Sequence, residues 1–356
     1  MSTKCFDAVV IGAGQAGLSV GYYLKRAGLD FIMLDNQPQS GGAWRHTWPS
    51  LRLFSPASMS SLPGMLMPKA KESEYPHRSD VLNYLADYER HYQLPVYRPH
   101  HVLSVTRDND ALRVSDGKYS WLSKTVISTT GTWSNAQTPT FLGQETYRGN
   151  QCHSAHYDGP EAFSNKRVLV VGGGNSGAQI VAELADRSSV TWVTRDAPLF
   201  LPDDVDGRVL FERATARIKG NGDDGPIGGI GDIVMIPTVK AARDKGQLSS
   251  VRLFERFTEH GVIWPDGSEE KIDAIIWCTG FKPELQHLTH LDVIESDGTV
   301  NVVHGQSIKE PRLWLFGYGD WASPGSATLI GAGRSARENV PKLIEFLKHS
   351  RLSLGN

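Results

Sequence analysis

VVIGAGQAGLS at residues 9–19 and VVGGGNSGAQI at residues 170–180 share one outline: a β-branched apolar run, then G-x-G-x-x-G, then a segment with helical spacing. That is the order a dinucleotide-binding turn requires. The glycines are Gly12, Gly14 and Gly17 in the first copy and Gly172, Gly174 and Gly177 in the second. They permit a tight turn out of the strand, close backbone approach to a pyrophosphate, and close packing of helix on strand. The helix N-terminus then offers unpaired N–H groups to the phosphates. Gln15 and Ala16 fill the variable positions of the first turn, and Asn175 and Ser176 those of the second.

The two copies differ downstream of the turn. Leu18 to Ala27 reads as an amphipathic helix closed by Gly28, and DFIMLD (30–35) as the next strand, ending in an acid. Asp35 lies 23 positions after Gly12, where a carboxylate can accept from a ribose 2′-hydroxyl. In the second copy the strand is SVTWVT (189–194), ending in Thr194, and the residue 23 positions after Gly172 is Arg195. A guanidinium can bind a 2′-phosphate that a carboxylate would repel. The first turn therefore suits FAD or NAD, and the second suits NADP. The neighbouring Asp196 opens the second turn to NAD as well, so NADPH and NADH are both expected cofactors there.

Beyond Asp35 comes SGGAWRHTW, with Gly41, Gly42 and Trp44. Here the chain resembles the flavin-containing monooxygenases, whose N-terminal FAD site carries a G-G-x-W turn after the acidic strand end. YRGNQCHSAHY (147–157) strengthens the resemblance: Tyr147, Gly149, His153 and Tyr157 fit F-x-G-x-x-x-H-x-x-x-[YW], a signature of class B flavin monooxygenases, with Tyr for the first Phe. Thr130 and Gly131 in VISTTGTWS, and Thr279 and Gly280 in IIWCTGFKP, look like the T-G turns at which such chains cross between domains. LFGYGDW (315–321) resembles the late flavin-contacting segment and makes Asp320 a candidate FAD ligand. The resemblance is greatest to short bacterial members, a group that includes flavoproteins associated with arsenic resistance.

The resemblance implies an α/β chain with two Rossmann-like domains, the NAD(P) domain inserted into the FAD domain. The expected boundaries are 1–158 for the first part of the FAD domain, 159–280 for the NAD(P) domain and 281–356 for the return. It further implies NAD(P)H reduction of FAD, formation of a C4a-(hydro)peroxyflavin, and transfer of one oxygen atom to a soft nucleophile such as an organic sulfide or, weakly, a ketone. Because the cofactor carries the chemistry, no nucleophile triad is required. His153 is then a positioning residue. The family's Asn over the flavin falls at Phe54 in LRLFSP (51–56), and Phe offers no hydrogen bond. Two alternatives stay open: an NAD(P)H oxidase or reductase that oxygenates nothing, and a non-catalytic redox-sensing flavoprotein.

Composition narrows the classes further. A hydrophobic share of 40% and a charged share of 21% belong to a globular protein, and 356 residues allow two domains. A formal net charge of −2 carries no nucleic-acid footprint, and no apolar run has the length of a membrane helix. MSTKCFDAVV runs directly into the first strand, so a cytoplasmic location is expected. Cys5, Cys152 and Cys278 form no C-x-x-C, which argues against a disulfide reductase, and no metal-ligand spacing occurs. Of Trp44, Trp48, Phe54 and Trp321, only Trp44 and Phe54 are assigned to the site. KGNGDDGPIGGIGD (219–232) reads as a surface loop rather than a lid. The expected partners are O2 and a small sulfide or ketone, with no nucleic acid or membrane, and with a homodimer open to the chain.

Overall fold

A computed structural model describes residues 4–70, 74–203, 205, 232–323 and 325–353. The loop 219–231 lies outside the described residues. The strands in chain order are β1 (Cys5–Ile11), β2 (Phe31–Leu34), β3 (Val96–Tyr97), β4 (Ser104–Asp108), β5 (Ala111–Ser115), β6 (Ser120–Ser128), β7 (Asn150–His153), β8 (Arg167–Val171), β9 (Ser189–Val193), β10 (Ser250–Val251), β11 (Arg256–Thr258), β12 (Gly261–Ile263), β13 (Glu269–Lys271), β14 (Ala274–Trp277), β15 (Val302–Val303), β16 (Gln306–Ser307) and β17 (Leu313–Leu315). Helix α1 (Gln15–Arg26) follows β1, α2 (Arg78–His91) precedes β3, and α3 (Asn175–Leu184) follows β8.

The first sheet runs β15-β16-β17-β6-β1-β2-β3, with the β4–β5 hairpin joined to the N-terminal half of β6. Its centre is parallel: Val9 pairs with Ile32 on one side and Val126 on the other. A parallel strand is covered on both faces, and β1 shows how. Val10 faces one core with Met33, Ile127 and Trp314 under α1, α2 and the helix Leu329–Ser353. Val9 and Ile11 face another, with Val105, Val114 and Leu288. The period of two along CFDAVVI thus supplies both layers.

The second sheet, β10-β9-β8-β14-β7, is parallel throughout, and β11–β13 form a small antiparallel meander. All strands of the second sheet fall between 150 and 277, while the first sheet draws on 5–128 and 302–315. The chain therefore leaves the first sheet, builds the second and returns. The edge strand β7 lies ahead of the boundary expected at 158/159, because Gln151 and Cys152 pair with Ile275 and Ile276 of β14. Both glycine turns leave a central strand, β1 between β6 and β2 and β8 between β14 and β9. In open α/β sheets such a switch point is where ligands sit.

Helix α1 begins at Gln15, ahead of the Leu18 read from the apolar spacing, because Ala16 and Gly17 already lie in its first turn. Among the described residues no helix is long and apolar enough to cross a membrane.

Candidate functional site

At the first turn Gly12 has φ +99°, and a Cβ there would lie 2.7 Å from the Thr129 carbonyl oxygen. A Cβ on Gly17 would lie 2.1 Å from the Gly12 carbonyl oxygen. These two glycines are demanded by the protein's own packing. Gly14 is different: its backbone is extended at φ −77°, and an added Cβ would meet nothing nearer than Gly42 Cα at 3.8 Å. Its open side is the side from which a pyrophosphate can approach, facing the N-terminus of α1.

Four distant segments converge on this turn. Gly42 passes so close that its own Cβ would stand 2.8 Å from Gly14 Cα. Trp44 Nε1 donates to Gln15 Oε1 at 3.0 Å, and Gln15 Nε2 donates to the Ala327 carbonyl at 2.7 Å. Gly317 lies over Ala16, where a Cβ would meet the Ala16 methyl at 2.5 Å. Thr129 Oγ1 ties the turn from below, donating to the Ile11 and Gly12 carbonyls. The glycine at 42 and the one at 317 are thus small because the chain crosses itself there, and the enclosed backbone cradle is the kind a dinucleotide fills.

Asp35 is buried beside this cradle, and its carboxylate accepts from Arg98 Nε at 2.8 Å. Arg98 in turn grips Glu89 through both terminal nitrogens at 2.7 Å. Burial pushes the Asp35 carboxyl up from its ordinary value, while Arg98 and the backbone N–H groups of Gln37 and Ala13 pull it back. Arg98 fixes the carboxylate's direction, a pairing that sequence alone does not reveal. The Thr130 hydroxyl donates to the Glu284 carbonyl at 2.5 Å and shares a hydrogen bond with Tyr318 OH at 2.7 Å. It is therefore committed inside the protein, as are the Thr130 N–H, which donates to Tyr318 OH at 3.2 Å, and the Gly131 carbonyl, which accepts from the Glu284 N–H at 2.9 Å. Asp320 is exposed, with Oδ1 accepting from the Gly325 N–H at 2.9 Å.

The second turn repeats the geometry with other parts. Gly172 has φ +133°, and a Cβ there would strike the Cys278 carbonyl oxygen at 2.2 Å. A Cβ on Gly177 would meet the Gly172 carbonyl oxygen at 2.2 Å. Trp192 Nε1 donates to that same carbonyl at 2.8 Å, the bond Thr129 Oγ1 makes to Gly12 in the first copy, while Cys278 takes the place of Thr129 behind the turn. Gly174 caps α3 in extended backbone, and Ser176 follows in its half-buried first turn. The Asn175 side chain is committed at both ends: Nδ2 donates to the Asp232 carbonyl at 2.8 Å, and Oδ1 accepts from the Val234 N–H at 3.0 Å. It anchors the segment 232–234 over the turn.

At the strand end Thr194 is buried, with its hydroxyl on Ser250 Oγ at 3.1 Å. Arg195 and Asp196 are open to solvent, their side chains 87% and 79% exposed and 3.3 Å apart. Sequence reading missed a third member, Arg252, just past β10. It donates to the Arg195 carbonyl and lies 3.6 Å from Asp196 Oδ1. The strand end therefore carries two guanidiniums around one carboxylate. β10 pairs with β9 in the parallel sheet, and that pairing brings Arg252 there.

The segments that join the two sheets lie side by side. The Gln137 N–H donates to the Gly280 carbonyl at 3.0 Å, the Lys282 N–H to the Asn135 carbonyl at 2.9 Å, and Thr279 Oγ1 to the Gln137 carbonyl. Trp133 stacks on Phe281 at 5.0 Å. His153, at the end of β7, packs edge-on against Phe281 at 4.9 Å. Its Nδ1 accepts from the Ala155 N–H at 3.1 Å, so Nε2 carries the proton of the neutral ring. Nε2 is buried with no partner in good hydrogen-bond geometry among the described residues; burial holds the ring below its ordinary pKa, and the Gly280 backbone pulls it partly back. Tyr147 OH donates to the Ile272 carbonyl at 3.0 Å, and the phenol fills the space a Cβ on Gly149 would need.

Trp44 is held from both sides: Arg78 Nε donates to its carbonyl at 2.9 Å, and Arg78 also donates to the Arg45 carbonyl. A cation on the last carbonyls of the short helix Gly42–His46 complements its negative end. Phe54 is half-buried and packs against the core of the second sheet (the second core), which also holds Trp48, Tyr157 and Ile180. Trp48 is buried in that core, and the half-buried Trp321 packs on Tyr318 at 5.5 Å in the first domain. All three cysteines are unpaired, and among the described residues no group of three or more His, Cys, Asp or Glu could hold a metal.

A sequence profile of the pyridine nucleotide-disulphide oxidoreductases matches residues 9–219. The flavin-containing monooxygenase from Stenotrophomonas maltophilia superimposes with a TM-score of 0.89 and 48% identity, covering 97% of this chain and 99% of that one. The oxidoreductase CzcO of Bacillus velezensis is 30% identical over 348 residues, 95% of this chain and 99% of that relative. Indole-3-pyruvate monooxygenase YUCCA4 of Oryza sativa is 27% identical over 334 residues, 79% of this chain and 75% of that relative.

Proposed function

The chain belongs to the pyridine nucleotide-disulphide oxidoreductase family and to the bacterial flavin-containing monooxygenases within it, and from this premise we propose that it oxygenates small organic sulfides, holding FAD at the first glycine turn and NADPH or NADH at the second. It is an NAD(P)H- and O2-dependent monooxygenase with FAD as its flavin. When bound, FAD would supply the redox chemistry, passing the two electrons of NAD(P)H to dioxygen so that, with a proton, one oxygen atom would reach the substrate and the other would leave as water.

The observation that carries the residue assignment is the contrast between the two turns. Both have a backbone cradle in front of a helix N-terminus, but one ends in a buried carboxylate and the other in exposed guanidiniums. In this reading Gly12, Gly14 and Gly17 admit the FAD pyrophosphate, Asp35 accepts from its ribose, and Gly42, Trp44, Gly131 and Asp320 border it. Gly172, Gly174, Ser176 and Gly177 receive the nicotinamide dinucleotide, with Arg195 and Arg252 at its 2′-phosphate. Thr130, Asn175, Thr194, Thr279 and Gly280 hold the turns in shape, and His153 keeps the β7 end seated on Phe281. The protein's contribution is placement and exclusion of water. We place it in the cytoplasm, acting on small molecules and dioxygen.

A sulfide is favoured as substrate because a soft nucleophile needs no acid–base pair, and none is assigned at the site among the described residues. A ketone remains the weaker alternative. The decisive experiment measures sulfoxide formed against NADPH consumed. Phe54 adds a further expectation. A side chain without a hydrogen-bonding atom gives the activated oxygen no donor, so part of the NADPH consumed should appear as hydrogen peroxide. Phe54→Asn should lower the peroxide fraction, at some loss of packing in the second core. A peroxide yield near zero in the unaltered protein would contradict this.

A further inference from the structure

We propose that Glu183 is a positioning residue: its carboxylate latches the helix of the second glycine turn to the flavin-side segment 48–54 and to Tyr157, fixing how nicotinamide meets flavin. The inference rests on the proposed assignment of FAD and nicotinamide to the two turns. Glu183 stands in the last turn of α3, one short rigid helix away from Gly174. Its Oε1 accepts from Ser50 Oγ at 2.5 Å and from Trp48 Nε1 at 3.2 Å, and its Oε2 accepts from Tyr157 OH at 3.1 Å. The donors come from two places far apart in sequence: the segment just beyond the G-G-x-W turn, and the last residue of the 147–157 motif. Trp48 and Tyr157 also meet edge to face, 5.9 Å apart.

The energetics argue against an incidental contact. A carboxylate at the C-terminal end of a helix opposes the helix dipole. Here it also has no cationic partner among the described residues, and the nearby charge is Glu161, already paired with Arg187 at 3.2 Å. Burial pushes the Glu183 carboxyl up, and the three donors pull it back. An apolar residue would fill the same space between Trp48 and Tyr157 at lower cost. What an apolar residue cannot do is fix the orientation of three donors at once. Phe54 packs against the same core that Ile180 of α3 enters, so the latch also bears on where Phe54 stands.

The test uses the FAD-loaded protein and two readouts. Glu183→Leu should keep its FAD and its KM for NADPH, yet reduce its flavin anaerobically at least about tenfold more slowly, as expected for a misplaced hydride donor. Amide hydrogen exchange over 47–54 should become faster in the same variant. Glu183→Gln keeps an acceptor for Trp48 and Ser50 and turns its amide toward the Tyr157 hydroxyl, so its rate should return to within about threefold of the unaltered protein. If Glu183→Leu does not fold, Ser50→Ala with Tyr157→Phe removes two of the three donors and should show the same slowing. Flavin reduction at the unaltered rate, with unchanged exchange over 47–54, in whichever variant folds would overturn the latch. Failure of the unaltered protein to be reduced by either nicotinamide would overturn the proposed function instead, and the exchange comparison would still judge the latch.

Discussion

Gly14→Val is expected to give a folded protein that has lost its FAD. The position tolerates a side chain as far as the protein is concerned: its φ is −77° and its ψ −168°, a region open to β-branched residues, and its nearest neighbour is 3.8 Å from an added Cβ. The cost to the fold is that of a poorer helix cap, about 1 kcal/mol. The cost to the ligand is larger, because the valine methyls occupy the space a pyrophosphate needs to reach the N–H groups of α1. Losing two charge-assisted hydrogen bonds of about 1.5–3 kcal/mol each would weaken FAD by at least about a hundredfold. Flavin absorbance of the purified variant, beside its thermal melt, reads both. The same experiment at Gly17 would be uninformative, since a Cβ there collides with the Gly12 carbonyl oxygen at 2.1 Å and disturbs the fold itself. Full FAD occupancy in Gly14→Val would remove FAD from the first turn.

The second large effect is expected at the other strand end. Arg195→Ala should raise the KM for NADPH about tenfold and leave that for NADH nearly unchanged, a charge-assisted bond to phosphate discounted for solvent screening. Arg252 stands on the opposite side of Asp196, so Arg252→Ala should act in the same direction, and the double variant should approach about a hundredfold if the two contacts are independent. With both guanidiniums present, Asp196 is outnumbered, and NADPH should be the better substrate while NADH still works. Equal increases for both nucleotides would mean that Arg195 supports the shared parts of the dinucleotide or the fold.

The parts legible in the sequence are those fixed by local backbone rules. The glycine turns, the strands that precede them, the acid at Asp35 and the guanidinium at Arg195 can all be read from spacing, because each depends on neighbours within one β-α-β unit. The G-G-x-W and T-G turns are legible through resemblance, and the Gly14–Gly42 approach and the Gln137–Gly280 hydrogen bond give them a physical basis. Pairings between residues far apart in sequence are not legible: Arg98 on Asp35, Arg78 on the Trp44 carbonyl, Arg252 beside Asp196, and Glu183 beneath Trp48 and Tyr157. Each of these is a common polar residue whose partner is chosen by tertiary packing, by strand order within one sheet for Arg98 and Arg252 and by the approach of the two domains for Glu183. Asn175 and Thr130 show the converse. Both stand where a ligand contact is expected, but their side chains are already taken up by the protein. Trp48 and Phe54 belong to the first domain by their place in the sequence but pack in the second core, because the segment 48–54 reaches across to it.

The central claim, that this chain couples NADPH oxidation to oxygen transfer, is tested most directly by product analysis in labelled dioxygen. The FAD-loaded protein would be given NADPH and methyl phenyl sulfide, and sulfoxide, hydrogen peroxide and oxidised nicotinamide would be measured together. The expected result is sulfoxide carrying the label from dioxygen, with the remaining electrons of the NADPH consumed recovered in hydrogen peroxide. NADPH consumption that yields hydrogen peroxide alone, with sulfide and ketone substrates alike, would contradict it.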